Sequence, residues 1–164
     1  MVPFDQGVTK RQKFKIIEEN VKQDLEEETP QPFIAIRIIK EEIQTYTFID
    51  FGADGNTISY ELYTKLQGAQ LTQTNVVFEA YTGHQTKALG CCKLNMFVNE
   101  LICGDKFFVT QAGMQDVPII LGRSWQRRHN CFFNWERKLV HCQSSDLKLW
   151  VPLWVPDDDY AIAI

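Results

Sequence analysis

Residues 33–156 of this 164-residue chain should form one small, mainly β domain carrying one or two short helices. Three observations say so. The composition, 45% hydrophobic and 12% aromatic, suffices for one ordinary core and is too short for two. Apolar residues after Pro32 fall in short, often alternating runs. Gly, Asn or Asp separates these runs at close intervals, as in a small mixed sheet or barrel and unlike a doubly wound fold.

Before Pro32, Phe14, Ile17, Val21 and Leu25 recur at spacings of three and four, which predicts a helix within Arg11 to Glu28. Pro30 and Pro32 stop it, so residues 1–32 read as a flanking arm. Phe33 to Ile39 is a strand, Glu41-Glu42 a turn, and Gln44 to Asp50 a second strand. Ile58, Leu62 and Leu66 at four-residue spacing predict a small helix over Thr57 to Leu66. Strands are expected at Asn75 to Tyr81, Thr86 to Val98, Leu101 to Cys103, Lys106 to Thr110 and Val117 to Leu121. Gly83-His84, Asn99-Glu100, Gly104-Asp105 and Gly113 punctuate them. A second short helix, Ser124 to His129, precedes strands Cys131 to Trp135 and Lys138 to His141 about the turn Glu136-Arg137. Leu147 to Val155 lacks helical spacing and reads as an edge or interface strand, so 143–164 forms a C-terminal segment ending in an acidic tail.

Net charge is −4, and it sits at the ends. Residues 1–32 carry seven acids and five bases, and Asp157, Asp158 and Asp159 close the chain, leaving 11 acids and 12 bases in residues 33–156. Neither a bulk polybasic nucleic-acid binder nor a wholly disordered acidic chain fits. The absence of a long apolar run or a signal-like start predicts neither membrane insertion nor secretion. Five cysteines, Cys91, Cys92, Cys103, Cys131 and Cys142, read as free thiols in a reducing compartment.

Chemistry concentrates in Phe48-Ile49-Asp50-Phe51-Gly52-Ala53-Asp54-Gly55-Asn56-Thr57-Ile58-Ser59. An apolar strand delivers Asp50 into a Gly-containing turn, where apolar neighbours can tune a carboxylate for acid/base work. Taken singly, such a segment is also an ordinary Asx-turn. A second segment follows about 70 residues later: Val117-Pro118-Ile119-Ile120-Leu121-Gly122-Arg123-Ser124-Trp125, an apolar strand running into Gly-Arg and a helix.

The two segments, in this order, resemble the retropepsin family of aspartic proteases. Their wording, with His129-Asn130, is similar to the protease region of Ty3-type retrotransposon and plant pararetrovirus polyproteins. The resemblance covers residues 33–142 and implies an acid-protease fold resembling a closed barrel. It implies an aspartic endopeptidase that processes a viral or retroelement polyprotein, with Asp50 catalytic. Such enzymes share one proton between two carboxylates. This chain offers one such segment, so the resemblance implies a homodimer with the second aspartate from the symmetry mate. It implies that Gly52, Ala53 and Asp54 line the cleft, that Arg123 pairs with Asp54 within the chain or across the dimer, and that Phe51, Gly122 and Arg123 support the loop. It also implies a flap from Val76 to Val98 with Gly83 and His84 at its tip, although an ordinary hairpin with an exposed His fits equally. No metal or cofactor is implied, the implied substrate is a polypeptide, the chain's own polyprotein, and the implied setting is intracellular: host cytoplasm or an assembling particle.

One departure stands out. The family has Thr or Ser after the catalytic aspartate, whose hydroxyl ties the two loops together, and here the residue is Phe51. Either aromatic packing braces the loop, or the site is weakened, or the fold persists without activity. The last case would make the domain a peptide-binding or scaffolding module using strand addition.

Other readings have less support. Asp50-Phe51-Gly52 matches the magnesium-binding tripeptide of kinases, but no Gly-rich loop or catalytic-loop motif accompanies it. The cysteines with His129 and His141 supply soft ligands without Cys-x-x-Cys or helical His spacing, so buried thiols are the better account. A Cys nucleophile with His84 or His141 as base has no local support. Arg123, Arg127, Arg128, Arg137 and Lys138 near Trp125 and Trp135 could track phosphates, but a solvated face is the commoner outcome and nucleic acid is not expected as a partner.

Overall fold

A computed structural model describes residues 32–66, 69–79 and 82–153. The helix expected within Arg11 to Glu28 and the acidic tail lie outside the described residues.

Six strands close a barrel: β1 (Phe33–Ile38), β2 (Ile43–Ile49), β3 (Thr57–Ile58), β6 (Gly90–Val98), β7 (Leu101–Val109) and β8 (Ile119–Leu121). Their order round the barrel is β1-β2-β8-β3-β7-β6. Alternation sets the inward faces, since successive side chains on a strand point to opposite sides. Ile34, Ile36 and Ile38 of β1 and Cys92, Leu94, Met96 and Val98 of β6 are buried in one core. β1 turns into β2 at Glu41-Glu42, Glu42 adopting φ 56°, and β1 and β2 pair from Phe33↔Phe48 to Ile38↔Ile43.

β8 slots between β2, which it meets in parallel, and β3, which it meets antiparallel. This brings the expected Val117 to Leu121 strand against the end of β2. Helix α1 (Tyr60–Tyr63) is shorter than the sequence suggests. Thr57 and Ile58 pair with β7 and β8 instead of starting the helix, because their β-branched side chains fit a barrel position. Ser59 then caps the helix, its Oγ accepting from Leu62 N at 3.0 Å.

Two further strand expectations are corrected. Thr86 to Val98 is not one strand: β4 (Val77–Glu79) and β5 (Gln85–Lys87) form a separate hairpin, and the chain changes partners before β6. Gly90 permits the change, for a Cβ there would lie 2.8 Å from the Thr72 carbonyl oxygen. Leu101 to Val109 is, conversely, one unbroken strand, with Gly104 facing Asn95 and Asp105 facing Leu94. Asp105 belongs to the inward series and is buried, so this apparent turn is a strand interior carrying a carboxylate into the core.

Helix α2 (Arg123–Arg128) follows β8 and buries Trp125 and Gln126. Beyond it, β9 (Phe132–Asn134), β10 (Leu139–Ser144) and β11 (Leu147–Pro152) form an antiparallel sheet in the order β11-β10-β9. β11 is the edge strand anticipated for the C-terminal segment. Val140, Cys142 and Val151 join the barrel core.

Candidate active site

Asp50 stands at the end of β2, and both sides of its peptide are held. Its N–H donates to the Leu121 carbonyl at 3.0 Å, and its carbonyl accepts from Gln126 Nε2 at 3.0 Å. The same amide donates to Leu121 O at 3.1 Å, so one buried glutamine clamps the ends of β2 and β8 together. The carboxylate is half-buried, and its Oδ1 accepts from Gly52 N at 2.8 Å. The hydrogen bond aims one oxygen and leaves the other open to a reactant.

The loop beyond is stitched to the start of α2. Arg123 N donates to Ala53 O at 2.8 Å and Ser124 N to Asp54 O at 3.0 Å. Gly122 N donates to Asn56 Oδ1 at 3.1 Å. Arg123 closes an ion pair with Asp54 within the same chain. Gly122 has a steric reason to be glycine: a Cβ there would sit 2.3 Å from Gly55 O and 2.8 Å from Ala53 O. Thus Asp50, Gly52, Ala53, Asp54, Gly122 and Arg123 form one constellation, although more than 60 residues separate its halves.

Phe51 is 53% exposed, and its ring meets Phe133 edge to face at 5.2 Å. Phe133 in turn stacks on Trp135 at 4.7 Å. An aromatic bracket therefore flanks the Asp50 loop at the position for which the resemblance implies a hydroxyl.

Gly83 and His84 lie between the two strands of the β4–β5 hairpin. Gly83 adopts φ 84°, a left-handed conformation that glycine tolerates. His84 is exposed, and its N–H donates to Thr82 Oγ1 at 3.4 Å. The hairpin base is nevertheless anchored near the site. Phe78 is buried in a second cluster with Phe48, Ala53 and Ile120, so the residue before β2's end, the Asp50 loop and β8 share one packing unit with the hairpin.

Asn56 and Gln126 are the residues that sequence reasoning missed. Their signal is faint: each is a polar residue in an apolar neighbourhood, buried in the structure with its amide satisfied.

A second polar cluster lies in the core. His129 Nε2 is 3.0 Å from Asp105 Oδ2, and Nδ1 is 3.0 Å from the Gln143 carbonyl and 4.0 Å from Cys103 Sγ. Arg128 also reaches Asp105, at 3.2 Å. Burial alone pushes the imidazole down, but the hydrogen bonds and charge of Asp105 and Cys103 outweigh it, and the ring is pushed up to about 10. Geometry agrees, since both oxygen partners only accept and both ring nitrogens must donate. Cys103, Asp105 and His129 lie close enough to hold a metal ion. With both ring nitrogens protonated, neither lone pair is free, and the group is better described as a buried ion pair. The basic stretch is similarly committed in part: Arg123 serves Asp54 and Arg128 serves Asp105. No helix among the described residues is long and apolar enough to cross a membrane.

The profile of the PEG10/RTL1 protease domain matches residues 46–149. The retroviral protease-like domain of Ddi1 from Leishmania major superposes with a TM-score of 0.60 at 14% identity, covering 80% of this chain and 98% of that one. EIAV protease in complex with the inhibitor HBY-793 gives a TM-score of 0.52 at 15% identity, covering 63% and 92%. At these identities the likeness to both is one of fold. No curated protein sequence matches the chain.

Proposed function

Because the chain belongs to the PEG10/RTL1 protease domain family, we propose that it is one half of an aspartic endopeptidase. The observation that carries this reading is the single carboxylate of Asp50, aimed by Gly52 N and clamped at both ends of its peptide, at the mouth of a retropepsin-like fold. Two such carboxylates about 3 Å apart cannot both ionise easily and so share a proton. One takes a proton from the attacking water, and the other donates to the scissile carbonyl oxygen. A two-fold homodimer supplies the second from Asp50 of another copy. The exposed rings of Phe51, next to Asp50 in the chain, and of Trp135, which stacks on the Phe133 that Phe51 meets, are apolar surface of the kind a second copy would cover.

The β4–β5 hairpin closes over a bound peptide and excludes water, with Gly83 supplying its pliant turn and His84 a polar contact. The substrate is a polyprotein, processed inside the cell or in an assembling particle. A Ty3-type or pararetroviral parentage for that polyprotein rests on the wording of the two motifs.

Phe51 favours a second reading, a peptide-binding module with weak or no catalysis, because no hydroxyl is present to tie two loops across the axis. Incubation with polypeptide substrates, together with measurement of mass against concentration, separates the two. Cleavage that stops in Asp50→Asn supports the peptidase. Binding without cleavage, unchanged in Asp50→Asn, supports the module, and a strict monomer that still cleaves would overturn the shared-carboxylate mechanism.

A further inference from the structure

Two of the five thiols lie at one end of the β9–β10 ladder, Cys142 on β10 and Cys131 directly before β9. β9 and β10 pair with Val140 opposite Phe133 and His141 opposite Phe132. One further step in this register sets Cys142 opposite Cys131. Facing residues in an antiparallel pair have Cα atoms about 4.5–5.5 Å apart, inside the roughly 4.4–6.8 Å span of disulfide-bonded cysteines. The neighbouring Cys131 thiol is the largest cause that pushes the Cys142 thiol up.

Both cysteines are held in place by their surroundings. Cys131 N donates to Gln126 O at 2.8 Å, Gln143 N to His129 O at 2.7 Å, and the His141 ring lies 2.9 Å from Asn130 O through Nδ1. The other thiols are less suited. Cys91 and Cys92 are neighbours on one strand and point to opposite faces. Cys103 lies on β7, opposite Met96.

We propose that Cys131 and Cys142 form a reversible disulfide when the protein meets a peroxide. Burial sets the order of events, because Cys131 is half-exposed whereas Cys142 is fully buried. The hydrogen bond with Cys131 and burial both make the Cys142 thiol hold its proton, so it does not react first. The Cys131 thiolate attacks one peroxide oxygen, the O–O bond breaks, and the departing hydroxide takes up the proton that the thiol gave up, so that sulfenic acid and water result. The Cys142 sulfur then attacks the sulfenic sulfur, the S–S bond forms, and the S–O bond breaks. The departing hydroxide takes the Cys142 proton and leaves as water. Two thiols thus lose two electrons and two protons, and hydrogen peroxide is reduced to two waters. A small thiol reductant reverses the bond by exchange. The cross-link closes the hairpin that carries Phe133, whose ring meets that of Phe51 next to Asp50, and Trp135, which stacks on Phe133.

The test treats the full chain with a small excess of hydrogen peroxide and then alkylates the remaining thiols. Before alkylation the expected product is 2 Da lighter than the reduced chain, afterwards it carries three alkyl groups where the reduced chain takes five, and trypsin releases peptides 129–137 and 139–148 joined to one another until dithiothreitol is added. Its thermal midpoint rises by about 5 °C, because the unfolded chain is now constrained. Cys131→Ser, at the half-exposed position, folds and shows neither the cross-link nor the rise. Cys142→Ala, which buries no hydroxyl, gives the same result. Complete alkylation of both cysteines after peroxide, or a bond from either to Cys103, would overturn the proposal.

Discussion

Replacing His129 by Gln should remove most of the pH dependence of stability just above neutrality. In the native state the imidazole is pushed up to about 10, against about 6.5 when unfolded. A basic group raised on folding contributes stability that is fully present below the unfolded value and lost as pH rises through the folded one. From pH 7 to pH 8 the native ring keeps its proton while the unfolded ring sheds what remains of its own. Linkage then gives a loss of about 1.2 kcal/mol over that unit. Burial together with Cys91 and Glu41 pushes the Cys92 thiol up to about 11, and Cys142 is also raised, so both destabilise with rising pH, but only where unfolded thiols ionise. Keeping the window below pH 8 holds each of them to about 0.1 kcal/mol. Urea titrations at pH 7 and 8, at one protein concentration, should show the wild-type midpoint falling by about 0.5–1 M. Trp125 is a convenient reporter, since its ring lies 4.7 Å from that of His129. His129→Gln should show less than a third of that fall, and Asp105→Asn should behave similarly because the anion holding the proton is gone. Equal pH dependence in wild type and both variants would refute the imidazolium assignment.

Gly122→Ala should cost more than about 3 kcal/mol, since its Cβ would meet the Gly55 carbonyl oxygen at 2.3 Å and neither backbone can yield without breaking the stitch to α2; chemical denaturation checks it. Gln126→Leu leaves the Asp50 and Leu121 carbonyls short of a donor and should cost about 1–3 kcal/mol, with cleavage falling more than the folded fraction. Phe51→Ser should preserve or raise cleavage at a stability change below about 1 kcal/mol, as the ring is more than half exposed; a large loss of activity would show that the aromatic bracket has its own positive role. Trp135→Ala should weaken self-association about tenfold, read by sedimentation, with cleavage recovering at high protein concentration.

The barrel and the site differ in how far they can be read from residues alone. Strands β1, β2 and β8, the turn at Glu41-Glu42 and the short helix after Gly122 follow from alternation and turn chemistry, because those signals are local. The pairing of the Asp50 and Gly122-Arg123 segments follows from their joint resemblance to a protease motif. Asn56 and Gln126 carry little such signal, because an amide becomes a clamp only when distant carbonyls are brought to it.

The clearest divergence is at Gly104-Asp105. Its residue types announce a turn, for an aspartate in the middle of a strand would ordinarily be buried at a large cost. The folded chain makes the opposite choice, because His129 and Arg128, about two dozen residues later, arrive from the far end of α2 to neutralise that charge. Composition and periodicity therefore decide that this is a small β domain, and where its acidic turn lies, since both depend on near neighbours along the chain. Tertiary structure alone decides which carboxylate stays open for chemistry and which is locked in an ion pair. Asp50 ends its strand against backbone donors and keeps one oxygen unengaged by Gly52, whereas Asp105 faces inward between two cations.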